Sequence, residues 1–198
     1  MKYSAARPND RRKPILFITI GVVVAALIAV VALANNGGLP GVPKAATEVH
    51  QQAKLTIGQP APAIDVSSTA GPFNLANAQT PVFLEVFATW CPHCQREVPI
   101  VNALAAKYGK QMTFIGVSGS AVGIDGQLPE SQGDVIGFVQ KYGVKYPVAY
   151  DPELKVANAY LQTGFPTIVM IKKDKTISSL QDGEVSHADL EKAIKAAL

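Results

Sequence analysis

Val82-Phe83-Leu84-Glu85-Val86-Phe87-Ala88-Thr89-Trp90-Cys91-Pro92-His93-Cys94 is the stretch whose reading decides the fold. Residues 82–88 are apolar except for Glu85, and a continuous run of that kind reads as a strand covered on both faces. A helix is expected to open at the first cysteine, because Pro92 suits the first helical position, where its missing N–H costs nothing. Cys91 and Cys94 are the only two cysteines in 198 residues. A disulfide between them would close so short a loop that it adds almost nothing to stability, so their value lies in reactivity. Two thiols on one helical turn can close and open a disulfide without moving the fold. That is the layout of a thiol–disulfide exchange site.

Upstream, the chain divides by composition. Residues 1–14 carry five basic side chains against Asp10, a local charge of +4. The remaining thirteen basic and fourteen acidic residues leave −1. The basic excess is therefore a property of the tail, and nothing argues for nucleic-acid binding. Residues 15–34 are a twenty-residue run whose only polar side chain is Thr19. As a helix it would span about 30 Å, the thickness of the hydrocarbon core of a bilayer. With the basic flank on its cytoplasmic side, the rest of the chain is expected outside the cytoplasm. Ala32-Leu33-Ala34 has the form of a cleavage site, but the run is longer than a secretory apolar region, which favours a retained single-pass signal anchor over a cleaved peptide. Residues 35–54, rich in Asn, Gly and Pro, read as a linker with a reach of about 25 Å.

Residues 55–198 have the length of one domain. Residues 63–67 and the region of Phe73 suggest a short hairpin. Strands are expected at 82–88, 113–118, 148–150, 167–171 and 176–180, and helices at 92–108, 134–142, 152–160 and 186–198. Ser186 is the expected N-cap of the last, with Asp189 three residues on. The alternation implies an α/β sandwich with a mostly parallel centre. Residues 119–133 lack a period and read as a surface loop, with a substrate-facing insertion as the alternative.

At a helix N-terminus, unpaired N–H groups and the dipole favour a thiolate, and cysteines so placed reach pKa values of about 3.5–7.5. Cys91 is the expected nucleophile and Cys94, one turn inside, the resolving thiol. His93 is expected beside the sulfurs, where it would favour the thiolate further. A zinc site lacks a second pair of soft ligands, since His50 and His187 are wrongly spaced. A copper-handling role for Cys91, Cys94 and a histidine is the alternative from another class.

The segment from Phe83 to Pro99, Ile57-Gly58-Gln59-Pro60-Ala61-Pro62, the stretch from Asp151 to Tyr160, and Gly164-Phe165-Pro166-Thr167 together resemble the thioredoxin superfamily, closest to its membrane-anchored TlpA/ResA-like branch with an AhpC/TSA-redoxin-like domain. The resemblance covers essentially all of 55–198. It implies a thioredoxin-like three-layer α/β sandwich preceded by one transmembrane helix, and a thiol–disulfide oxidoreductase whose redox group is the Cys91–Cys94 pair, with no bound cofactor. It makes Pro166 the proline that is cis and faces the disulfide, and Glu85 a buried acid assisting proton transfer to Cys94. Glu97 matches a glutamate near the active site, and Pro99 a proline that kinks the first long helix. The bland alternatives are an edge-exposed Glu85, a solvated Glu97, and Trp90 as core packing rather than a lid at the substrate site. Phe165 is larger than the usual family residue there, which bears on the substrate groove.

One departure concerns direction. The branch commonly has proline before the second cysteine, where this chain has His93; Pro-His is the dipeptide of DsbA-type oxidants. The scaffold suggests a reductase and the dipeptide an oxidant. A thiol peroxidase on the same fold is less favoured, because Ala88 stands where that chemistry wants threonine. The implied partners are protein thiols or disulfides, apocytochrome c among the possibilities, and a membrane redox partner of unknown identity.

Overall fold

The computed structural model describes residues 55–198. They form a seven-stranded mixed sheet in the order β2-β1-β5-β4-β3-β6-β7. The elements, in chain order, are β1 (Asp65–Ser68), β2 (Gly71–Asn74), β3 (Val82–Phe87), α1 (Pro92–Tyr108), β4 (Thr113–Ser118), α2 (Gln132–Tyr142), β5 (Val148–Tyr150), α3 (Lys155–Tyr160), β6 (Thr167–Ile171), β7 (Ile177–Asp182) and α4 (His187–Ala197).

Only β3–β4 and β4–β5 pair in parallel. The pairings β1–β2, β1–β5, β3–β6 and β6–β7 are antiparallel. The parallel centre is thus three strands wide, narrower than the alternation of elements suggested. α3 has only six residues, about 9 Å of helix, which does not carry the chain back across the sheet for a parallel return. β6 therefore enters from the end at which α3 stops.

Every residue of β3 is buried, as a central strand covered on both faces requires. Side-chain alternation sorts them. Phe83 and Phe87 join Cys94, Val98, Val101 and Leu104 of α1, Phe138 of α2 and Ile194 of α4 in one core. Val82, Leu84 and Val86 join Ile115, Val117, Val156, Tyr160 and Ile171 in the other. Glu85 lies between Phe83 and Phe87 in sequence, so the period of two turns it toward α1, the helix that carries the cysteines.

Caps position the helices. The Ser131 side chain accepts from the Asp134 N–H and the Asp134 side chain accepts in return from Ser131, a capping box that starts α2 two residues earlier than its apolar period indicates. Gly143, at φ 64°, ends it in the left-handed conformation. Ser186 caps α4 through the Asp189 N–H. The helix expected from 152 begins only at Lys155, because the Asp151 carboxylate accepts from the N–H groups of Lys155, Val156 and Ala157 and so sets the first turn there.

Among the described residues no helix is long and apolar enough to cross a membrane. The expected tail, anchor and linker at 1–54 lie outside the described residues.

Candidate active site

The site forms where β3 runs into α1. Cys91 is the N-cap residue with extended backbone (φ −74°, ψ 118°), and Pro92 follows inside the helix. The Cys91 N–H donates to Ala88 O at 3.1 Å, which tightens the turn. Both cysteines are in the thiol form. The Cys91 thiol donates to the backbone carbonyl of Phe165 at 3.5 Å. The Phe165–Pro166 peptide bond is cis, and the Phe165 carbonyl faces the nucleophile. Pro99 lies inside α1, which runs unbroken from Pro92 to Tyr108.

The thiols differ by degree of burial, not by one being open. Cys91 is 3% exposed and Cys94 0%. Burial pushes the Cys94 thiol far above its usual range, and the Glu85 charge pushes it further, against an opposing hydrogen bond from the Ala88 backbone. Cys94 therefore needs a base before it can act as a nucleophile.

Two buried carboxyls lie behind it. Glu85 is 1% exposed, which rules out the edge-exposed alternative. Desolvation lifts its pKa to about 7, against a hydrogen bond donated by the Tyr146 hydroxyl at 2.7 Å that favours the carboxylate. Glu97, three residues past Cys94, is fully buried rather than solvated. Its Oε1 accepts from the Val185 N–H at 3.1 Å, while Oε2 is buried without a partner. Burial first and the Glu85 charge second lift Glu97 to about 8. Near neutral pH these two groups can each hold or release a proton, which suits proton transfer to and from a thiol.

His93 does not turn to the sulfurs as the sequence suggested. Its Nδ1 lies 2.9 Å from Glu184 Oε2 and 2.8 Å from Arg96 Nη2. With Nδ1 bare the ring accepts from Arg96, and with a hydrogen on Nδ1 it donates to Glu184. Arg96 also donates to Glu184 through Nε and Nη2, and Glu184 is drawn down to about 2, chiefly by Arg96 and then by His93. A fixed carboxylate outcompetes a weakly accepting sulfur for the histidine.

Trp90 is 38% exposed and packs edge-on against Phe165, with ring centroids 5.9 Å apart, so both rings border Cys91. The Trp90 indole N–H donates to Ser120 Oγ at 2.8 Å. Ser120 belongs to the segment that read as a plain surface loop. That segment is tied down. Glu130, 5% exposed, accepts from Ser118 Oγ at 2.7 and 2.8 Å and from Thr89 Oγ1 at 3.1 Å. Ser118 ends β4, and Thr89 lies in the turn between β3 and Cys91.

Among the described residues no group of three or more His, Cys, Asp or Glu side chains converges as a metal-binding set.

Comparison with known proteins agrees with this geometry. A family model for redoxins matches residues 56–196. The ResA thiol–disulfide oxidoreductase of Bacillus thuringiensis is 33% identical over 144 residues, covering 72% of this chain and 79% of that protein. The chain belongs to the redoxin family, on its ResA-like branch. A thioredoxin-family thiol:disulfide interchange protein from Chlorobium tepidum is 27% identical, with a TM-score of 0.55, and covers 72% of this chain and 98% of that one. Another Chlorobium tepidum structure superposes at a TM-score of 0.63 with 26% identity, over 72% and 98% of the two chains. This redoxin is a thiol–disulfide oxidoreductase with a thioredoxin-like α/β fold.

Four residues of the site escaped the sequence reading: Tyr146, Glu130, Glu184 and Ser120. Tyr146, Glu184 and Ser120 lie 61, 91 and 30 residues from Glu85, His93 and Trp90, and Glu130 lies 12 from Ser118 and 41 from Thr89. Glu130 and Glu184 lie in segments without a period, and Tyr146 passes for an ordinary core aromatic. No local signal marks any of them.

Proposed function

We propose that this redoxin exchanges disulfides with protein substrates through Cys91 and Cys94, from the outer side of a membrane to which residues 15–34 anchor it. The observation that carries the reading is the asymmetry of the pair: Cys91 caps the helix N-terminus with its thiol on Phe165 O, whereas Cys94 lies one turn inside, fully buried and under the charge of Glu85.

In the reducing direction the Cys91 thiolate attacks a substrate disulfide. A Cys91–substrate bond forms, and the other substrate sulfur leaves as a thiolate. Glu85 takes the Cys94 proton, and the Cys94 sulfur attacks Cys91. The mixed disulfide breaks, the second substrate thiol departs, and the enzyme is left as the Cys91–Cys94 disulfide. Substrate oxidation is the same sequence reversed. Glu97, coupled to Glu85, sets how readily that proton moves on. Trp90 and Phe165 border the groove in which the substrate lies, and Pro166 faces the pair across it.

The position of Cys91 at a helix N-terminus supports an oxidising pair, with a potential between about −270 mV for thioredoxin and about −120 mV for DsbA. Equilibrium titration of the full chain against glutathione tests this. A value at or below that of thioredoxin makes the protein a reductase fed by a membrane electron donor. Fractionation and external protease digestion of cells test the anchor: a soluble cytoplasmic chain overturns it.

A further inference from the structure

We infer that Tyr146 is a positioning residue that keeps Glu85 usable as a base, and that Gly116 leaves the space through which it does so. The inference rests on the reading of Glu85 as the acceptor of the Cys94 proton.

Glu85 pairs across the sheet with Gly116 of β4 and Ile168 of β6, and neither neighbour has a polar side chain. From α1 it feels Cys94 and Glu97. Both are groups whose charged forms repel a carboxylate. Stabilisation of the Glu85 anion comes instead from Tyr146, which lies just ahead of β5 and reaches across β4 to donate its hydroxyl at 2.7 Å. The path crosses Gly116. A Cβ at that position would stand 3.1 Å from Tyr146 Cε2 and 3.4 Å from Phe87 Cε1. A bare α-carbon opposite Glu85 is therefore what lets the ring lie over the strand.

A phenol suits the task. It stabilises the carboxylate without bringing a second charge into the core. Its own proton is held fast, because burial and the Glu85 charge push the Tyr146 pKa well above its usual value. Tyr146 thus remains a donor through the range in which Glu85 titrates. A buried carboxyl without such a donor would stay protonated at neutral pH and could accept nothing from Cys94.

The test is single-turnover reaction of the reduced full chain with dithionitrobenzoate across pH. Attack by Cys91 releases the first coloured thiolate, and attack by Cys94 on the Cys91 sulfur releases the second. In the wild type the second phase should carry an inflection near neutrality that Glu85→Gln removes. Tyr146→Phe should move that inflection up by about one to two pH units, the shift expected for loss of one hydrogen bond to an ionised group, and leave the first phase unchanged. Gly116→Ala, which keeps the phenol but crowds its ring, should shift it the same way by less. An unmoved inflection in Tyr146→Phe, or slowing by one factor at every pH, overturns the inference and leaves the Glu85 reading intact. An inflection that survives Glu85→Gln overturns both. Infrared titration gives a second readout independent of turnover. The protonated-carboxyl band lost in Glu85→Gln should persist to higher pH in Tyr146→Phe, and a band titrating as in the wild type counts against the inference.

Discussion

His93 Nδ1 lies 2.9 Å from Glu184 Oε2, so the histidine between the two cysteines has a carboxylate partner from the β7–α4 turn. Arg96 joins the same carboxylate from one turn along α1. The positive field that Pro-His would aim at Cys91 is offset by a negative charge fixed beside it. Both His93 and Glu184 are well exposed, so the effect is modest and sensitive to salt.

Glu184→Gln should therefore raise the reduction potential slightly, since a stabilised thiolate makes the disulfide more oxidising. The rise should shrink at high salt. His93→Pro should lower the potential, and by less in the Glu184→Gln background if the Arg96 charge takes over. Glutathione titration of the variants reads all three, and a potential that falls in Glu184→Gln contradicts the electrostatic assignment.

Alkylation of the reduced protein should mark Cys91 well before Cys94, because Cys94 is fully buried and its thiol is pushed far above the usual range. Cys94→Ser should accumulate a stable mixed disulfide with substrate, whereas Cys91→Ser should form none. Mass spectrometry of trapped species checks both outcomes. Faster labelling of Cys94 would reverse the roles.

Stability should fall with rising pH. Glu85 and Glu97 have folded-state pKa values raised to about 7 and about 8, so each favours folding while protonated. That contribution is complete below the ordinary glutamate range and is lost as pH rises through 7 and 8. Glu85 alone accounts for a loss on the order of 3 kcal/mol by mildly alkaline pH. Urea unfolding of the reduced protein should show this slope, and Glu85→Gln should flatten it. Equal slopes in wild type and variant would mean that Glu85 is ionised at lower pH than its burial requires.

Glu130→Ala should loosen residues 119–131. It leaves the Ser118 and Thr89 hydroxyls without their buried acceptor, at a cost of about 1–3 kcal/mol. Hydrogen exchange of the loop amides should quicken and the apparent KM for a protein substrate should rise, while reaction with a small disulfide changes little. Unchanged loop exchange would show that the remaining contacts, Trp90 to Ser120 and the Tyr150 hydroxyl to the Glu130 backbone carbonyl, hold the segment.

The chemistry of the redox pair was legible in the chain. Hydrophobic period, the Cys91-Pro92 start of a helix and the spacing to Cys94 are local properties, and local geometry follows from them. So β3, α1 and β4 lie where the apolar runs place them. A carboxylate inside 82–88 announced itself because charge in a buried strand needs a reason. Its place in that run makes Glu85 a buried acid, with an edge-exposed charge as the alternative, whereas a helix turn reads the same with Glu97 in or out. Tertiary structure decided the rest. Tyr146 reaches Glu85 from 61 residues away, Glu130 reaches Thr89 from 41, and Glu184 reaches His93 from 91. Contacts at such separations exist only once the sheet has ordered its strands as β5-β4-β3-β6-β7. The chain by itself determined which atoms exchange electrons. The packed sheet determined which side chains hold the protons and where the histidine points, because those depend on neighbours that no local pattern encodes.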